Sequence, residues 1–192
     1  MCSFPPRPVV SAVLPLQIAK QMGASKIIAA VGSDTKAAIA REHGAHHVVN
    51  YTNANWFKKV RIMTDGKGVD VALEATGNNS LQETLRALAG FGRLVVFGSA
   101  SGTIATLEPA TIDRWLYNPA ANQSITGLNI GAWFMERSQH AGAALTGLIQ
   151  DSLSGALTLP KITTLPLSQA KEAHLALEER RTEGKLVLRP WQ

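Results

Sequence analysis

The sequence predicts an α/β fold built on a doubly wound, parallel sheet, and three observations carry that prediction. Runs of strand length recur: "KIIAAV" (26–31), "VDVALEA" (69–75) and "RLVVFG" (93–98). The first is almost wholly apolar, which suits a strand covered on both faces. Helical stretches lie between them, and glycines such as Gly23 and Gly44 stand where those helices should end. Strands alternating with helices favour parallel pairing, because each crossover helix returns the chain to the same end of the sheet.

Taken in order, residues 14–22 read as a helix stopped by Gly23, followed by the strand 26–31. Residues 35–43 form the next helix, with Ala37, Ala38 and Ile39 among its small and apolar positions. "HHVVNY" (46–51) is a strand, 55–63 a helix and "TDGKG" a turn. The strand 69–75 leads to the helix "NSLQETLRAL", with Asn79 or Ser80 as its N-cap, and then to the strand 93–98. After Ser99 the rhythm loosens. "SASGTIATLEP" is a loop, 124–131 one more strand and 132–154 a long helix. A short strand near 162–165, a helix over 168–181 and the strand "KLVL" (185–188) complete the chain.

Composition narrows the function. The 192 residues are 45% hydrophobic, enough to bury a real core. Net charge is +5, but the 19 Lys and Arg are scattered, without the basic block or aromatic interleaving of a nucleic-acid surface, so no nucleic-acid partner is expected. A single cysteine, Cys2, allows neither an internal disulfide nor a cysteine-rich zinc site, and a cytoplasmic location is expected. The apolar run from Val9 to Ala19 is interrupted by Pro15 and continues as an amphipathic helix rather than a leader. No stretch reaches membrane-spanning length, so no membrane association is expected. His46 and His47 are strand neighbours facing opposite sides, while His43, His140 and His174 sit at helical positions, so no metal site is expected. No Ser/His/Asp or Cys/His spacing nominates a catalytic residue.

The stretch "VGSDTK" marks the most informative corner. Ligands of doubly wound sheets lie beyond the carboxyl ends of the strands. After the second strand of a dinucleotide site, an acidic residue accepts the free ribose hydroxyls, whereas a small residue with a nearby cation leaves room for a 2′-phosphate. Here Gly32 and Ser33 take the acid's place and Lys36 follows one turn into the helix, whose N-terminal amides add positive potential. Tyr51, ending the next strand, is placed to flank an adenosine. Asp34 is expected to cap the helix and point outward. The same residues also suit an ordinary strand-to-helix turn, with Ser33 or Asp34 as cap and Lys36 in solvent.

Four stretches taken together carry a resemblance: "LQIAKQMGASKIIAAVGSDTKAAIAREHGAHHVVNY", "TDGKGVDVALEATG", "LRALAGFGRLVVFGSASG" and "LEERRTEGKLVL". In order and spacing, from about Leu14 to Leu188, they resemble the zinc-independent quinone oxidoreductase branch of the medium-chain dehydrogenase/reductases. The resemblance implies NADPH as cofactor and hydride transfer to a quinone or an activated carbon–carbon double bond. It implies that Gly32, Ser33, Lys36 and Tyr51 match the 2′-phosphate region, and that Thr76 and Gly77 lie beside the dinucleotide. Phe97, Gly98 and Ser99 match positions near the ribose and nicotinamide, Leu128 and Asn129 the nicotinamide pocket edge, and Arg180 an arginine near the cofactor. It further implies a homodimer joined through the sheet edge at 124–131. Gly77 and Gly98 each read equally as plain turn glycines, and Arg180 as a solvated residue near a helix C-terminus.

The resemblance has two departures. Where the family carries a glycine-rich turn before "QIAK", this chain has Val9, Val10, Ser11 and Ala12, and "FPPRP" (4–8) stands where the first strand is expected. The first strand and glycine loop are therefore expected to be atypical or missing. The family's N-terminal barrel-like catalytic domain has no counterpart in this sequence. The expected division is an atypical segment 1–13, a Rossmann-like dinucleotide-binding domain 14–155, and a segment 156–192 that in the family rejoins the catalytic domain. Without that domain, Leu186, Val187 and Leu188 are expected to leave apolar edge surface. The alternative to an NADPH-binding part of a reductase is a truncated, catalytically inactive module that dimerises or binds nucleotide.

Overall fold

The computed structural model describes residues 2–4, 10–77, 80–99, 102, 106–118, 122–179, 182 and 184–191. Among them the elements run β1 (Cys2–Phe4), α1 (Val10–Gln21), β2 (Ile27–Val31), α2 (Asp34–Glu42), β3 (His47–Asn50), α3 (Trp56–Met63), β4 (Val69–Glu74) and α4 (Ser80–Ala87). There follow β5 (Leu88–Val96), α5 (Pro109–Tyr117), β6 (Ser124–Gly127), α6 (Ile130–Glu136) and α7 (Ser138–Leu153). The chain closes with β7 (Ile162–Pro166), a short 3-10 turn, α8 (Ala170–Glu178) and β8 (Lys185–Arg189).

Six strands form one sheet in the order β3-β2-β1-β4-β5-β6, every pair parallel. The chain winds outward from β1 to one edge through β2 and β3, then to the other through β4, β5 and β6. This is the dinucleotide-binding order, and its direction reverses between β1 and β4. The α/β, doubly wound, parallel class predicted from alternation is the class observed.

Successive side chains of β2 face opposite sides of the sheet, and both sides are covered. Ile28 and Ala30 join one core with Val49, Trp56, Val60, Leu81, Leu85 and Leu94. Ile27, Ala29 and Val31 join the other, with Leu16, Ala19, Ala37 and Ala40 of α1 and α2. Small alanines on α2 let that helix approach the sheet closely, which accounts for its weak apolar stripe.

Three predicted bounds require correction, while the first strand, expected to be atypical or missing, is present and atypical: Cys2 pairs with Ile27 and Val71, and Phe4 with Ala29, at the centre of the sheet. It occupies the residues before the prolines rather than the prolines themselves. Pro5 follows its last residue and cannot donate to a ladder, so the strand is only three residues long. Helix α1 begins at Val10, earlier than position 14, and carries Pro15 within it at the cost of one backbone bond. β5 begins at Leu88 rather than 93, through a register shift against β4. The predicted long helix is two helices parted at Arg137, whose φ of −132° leaves the helical region although no Pro or Gly stands there.

β7 and β8 pair with each other in a separate two-stranded sheet. The segment leading to them is fastened to α1: Gln17 Nε2 donates to the Thr158 carbonyl at 3.0 Å while its Oε1 accepts from the Thr158 amide at 2.8 Å. Leu157 is buried beside this pair. On β8, Val187 is exposed, whereas Leu186 and Leu188 are half-buried, a narrower apolar edge than the three consecutive residues expected.

Candidate nucleotide site

All carboxyl ends of a parallel sheet open on one rim. Ladder bonds continue to that rim, from the Tyr51 amide to the Val31 carbonyl (3.0 Å), from Phe97 to Glu74 (2.9 Å) and from Leu128 to Val96 (2.8 Å). Gly32, Ser33 and Tyr51 therefore follow the ends of β2 and β3, Thr76 and Gly77 that of β4, Phe97, Gly98 and Ser99 that of β5, and Leu128 and Asn129 that of β6. Lys36 lies in the first turn of α2. Among the predicted site residues, Arg180 lies outside the described residues.

At the β2 corner, Ser33 is the N-cap of α2, its Oγ accepting from the Lys36 amide at 3.4 Å. Asp34, expected as the cap, is instead the first helical residue and is exposed, because the cap must be extended and Ser33 is, at φ −158°. Lys36 is half-buried. Tyr51 stands directly over Gly32: a Cβ at Gly32 would lie 2.8 Å from Tyr51 Cζ and nearer still to its hydroxyl. Gly32 has no positive φ, so space rather than backbone conformation is what glycine supplies here.

At the β4 corner, sequence reasoning missed Glu74. Its side chain is fully buried. Glu74 Oε1 accepts from the amides of Thr76 (2.6 Å) and Gly77 (3.1 Å), while Oε2 lies 3.2 Å from Ser80 Oγ and 3.2 Å from Thr84 Oγ1. Burial pushes its carboxyl above the ordinary range, and the two amides and two hydroxyls only partly oppose that rise. The available signal was an acid ending an apolar strand with hydroxyl residues six and ten positions on. Ser80, offered as a possible N-cap, donates instead to the Gly77 carbonyl at 2.7 Å and is the first helical residue; Asn79 lies outside the described residues.

The two glycines singled out have structural reasons of their own. Gly77 adopts φ +73°, a conformation that disfavours a side chain. A Cβ at Gly98 would lie 3.1 Å from the Ala75 carbonyl oxygen, so that glycine lets β5 leave close beside β4.

The strand predicted over 124–131 stops at Gly127. Asn129 ends it by capping α6, its Oδ1 accepting from the amides of Gly131 (2.9 Å) and Ala132 (3.3 Å). Leu128 beside it is exposed. His46, one of the adjacent histidine pair, uses Nδ1 to accept the Ile27 amide at 2.9 Å, a strand-edge role. Among the described residues no group of three or more His, Cys, Asp or Glu is placed to hold a metal ion, and no helix is long and apolar enough to cross a membrane.

Comparison with known proteins agrees with this architecture. The chain is 31% identical over 176 residues to the quinone oxidoreductase of Pseudomonas aeruginosa, covering 91% of this chain and 51% of that protein. It is 30% identical over 173 residues to a 2-haloacrylate reductase from a Burkholderia species, covering 90% of this chain and 50% of the relative. The crystal structure of Escherichia coli quinone oxidoreductase complexed with NADPH superposes with a TM-score of 0.82 at 27% identity, over 98% of this chain and 56% of that one. The chain thus spans about half the length of these relatives. Residues 13–140 match the family described as zinc-binding dehydrogenase. With that match running over most of the described sheet, the chain belongs to the zinc-binding dehydrogenase family, among relatives that are quinone oxidoreductases and a haloacrylate reductase.

Proposed function

We propose that this chain is the NADPH-binding part of a reductase that transfers hydride to a quinone or to an activated carbon–carbon double bond. The observation that carries the reading is the Gly32–Ser33–Lys36–Tyr51 corner. No carboxylate directly follows β2 to claim ribose hydroxyls, and a half-buried lysine sits in the first turn of α2 beside a serine cap and an overhanging tyrosine. That donor set fits a 2′-phosphate, which prefers a cation and helix-terminal amides. NADPH would supply the hydride from its nicotinamide ring. The residues of this chain would bind and orient it: Lys36 and Ser33 toward the 2′-phosphate, Tyr51 against the adenosine, and the strand-end residues from Thr76 to Asn129 along the rest. The named activities of the relatives support a small electron-poor acceptor.

The test is oxidation of NADPH by the purified chain with quinones, enones and 2-haloacrylate as acceptors. Acceptor-dependent oxidation supports the reading. A second reading, a nucleotide-binding or assembly module without catalysis, is favoured by one observation: no glycine precedes Gly23, where the family's glycine-rich turn would approach a pyrophosphate. NADPH binding without turnover selects it. Under either reading the chain forms a homodimer through β6. That strand is the sheet's outer edge, and Ile130, Trp133 and Phe134 immediately after it are exposed.

A further inference from the structure

Away from the nucleotide corner, residues of α3, α4 and α5 line a cavity of about 660 Å³. That volume lies in the range of small-molecule sites, roughly 300–1,000 Å³. The sheet-side residues that reach it are Gly90, early in β5, and Gln123, just before β6. They belong to the amino ends of those strands, opposite the rim where the nucleotide residues gather. Cations scattered in the sequence converge here: Lys58 and Arg61 from α3, Arg86 from α4 and Arg114 from α5, with no Asp or Glu among the described lining residues. Arg86 pairs with Glu83 at 3.4 Å and lies 5.3 Å from the centre of the Phe57 ring, so that pair adds no net charge. Arg61 is held by the carbonyls of Gly66, Lys67, Arg86 and Leu88, which orient its guanidinium without cancelling its charge. Lys58 and Arg114 are exposed, and their side chains make no hydrogen bond or ion pair among the described residues. Lys58, Arg61 and Arg114 therefore face one hollow with no acid to offset them. Lys58 and Arg61 also share a helix face at i, i+3, where like charges repel. One donor is idle as well: Trp115 lines the cavity, and its Nε1 is buried with no acceptor among the described residues.

We propose that this cavity is a second ligand site, for a diphosphate: inorganic pyrophosphate or the diphosphate group of a nucleotide. The uncancelled cations call for a comparably charged anion, and a single phosphate carries at most about two charges near neutral pH. A second phosphate group supplies the rest. Lys58 and Arg114 close on the ligand from α3 and α5 with charge-assisted hydrogen bonds, and their exposed side chains are free to do so. Arg61 acts mainly through its fixed charge, because four carbonyls already occupy its donors. Trp115 Nε1 is covered by its surroundings, so it gains an acceptor on the ligand only when the indole turns. The site shares no residue with the corner after β2, and it stands whether or not NADPH binds there.

The experiment is calorimetric titration of the full chain with pyrophosphate, with CDP and with citrate, beside Lys36→Ala and the double variant Lys58→Ala with Arg114→Ala. CDP offers no adenosine to the nucleotide corner, and both residues of the double variant are exposed, so its fold should hold and circular dichroism checks it. Binding of pyrophosphate and CDP in the micromolar range is expected, weakening with added salt. Affinity should fall by about tenfold for each cation removed in the double variant and stay unchanged in Lys36→Ala. In NMR, one indole N–H signal, absent from Trp115→Phe, should shift as pyrophosphate is added. Tighter binding of CDP supports a nucleotide as the source of the diphosphate, and tighter binding of pyrophosphate the inorganic anion. No binding at millimolar concentration, or equal affinity in the double variant, overturns the proposal. Loss in Lys36→Ala with retention in the double variant moves the ligand to the nucleotide corner and overturns it too. Citrate bound as tightly as pyrophosphate overturns the choice of phosphate, and an unmoved indole signal overturns the part given to Trp115.

Discussion

Arg61 should be among the costliest polar side chains to remove. Its Nε donates to the Arg86 carbonyl at 3.1 Å, Nη1 to Gly66 at 2.8 Å and Lys67 at 3.1 Å, and Nη2 to Leu88 at 2.8 Å. One guanidinium thus joins the end of α3 and the turn after it to the junction of α4 and β5. The Gly66 and Lys67 bonds are exposed, so water replaces them at small cost. The other two are partly buried; the Leu88 carbonyl keeps Gln123 Nε2 at 3.1 Å, which leaves the Arg86 carbonyl to lose this donor, and an unsatisfied buried carbonyl costs about 1–3 kcal/mol. Arg61→Ala should therefore lose about 1–3 kcal/mol. With a urea dependence of about 2 kcal/mol per molar for a chain of this size, the midpoint falls by roughly 0.5–1.5 M. Arg61→Lys should recover part of this, because a single ammonium cannot span four carbonyls. Urea titration followed by far-ultraviolet circular dichroism reads the shift. A midpoint for Arg61→Ala within about 0.2 M of the wild type would refute the reasoning, since that is well below the smallest loss expected for one orphaned carbonyl.

Other predictions follow the same route. Glu74 has a raised carboxyl when folded, so the stability it contributes is fully present below its ordinary value of 4.5 and is lost as pH rises through the higher folded value. Glu74→Gln should therefore match or exceed wild-type stability at alkaline pH, with the difference growing with pH. Glu74→Ala should cost about 2–4 kcal/mol by orphaning the Thr76 and Gly77 amides; urea midpoints across pH test both. Gly32→Ala should change stability by less than about 1 kcal/mol, because the half-buried Tyr51 ring can swing aside, yet weaken NADPH binding by displacing that ring. Undiminished affinity in a calorimetric titration would argue against a cofactor role for Tyr51. Trp133→Glu, at an exposed position, should leave the fold intact and convert the proposed dimer to monomer by light scattering. A dimeric mass in that variant would move the interface elsewhere.

What the sequence made legible was what burial on both faces imposes. β2 could be read because a strand filling two cores admits no polar residue, and the class followed from the alternation of strand-length runs with helices. β1 could not be read, since three residues carry no period and the adjoining prolines argue against a strand. The break at Arg137 left no mark either, because no Pro or Gly stands there. Asn129 was legible as a helix cap but was read only as the edge of a pocket; its side chain ends the strand. At the candidate site, Gly32, Ser33, Lys36 and Tyr51 were visible because strand ends on one rim must meet. Glu74 was missed because its role depends on hydroxyls six and ten residues away that only the turn into α4 brings to it.

The most direct measurement is a calorimetric titration of the purified chain with NADPH and with NADH, beside Lys36→Ala. Binding of NADPH in the micromolar range, weaker binding of NADH, and loss of that preference in Lys36→Ala are expected if the corner after β2 holds a 2′-phosphate. Equal affinity for the two cofactors, or a preference that survives in Lys36→Ala, would contradict it.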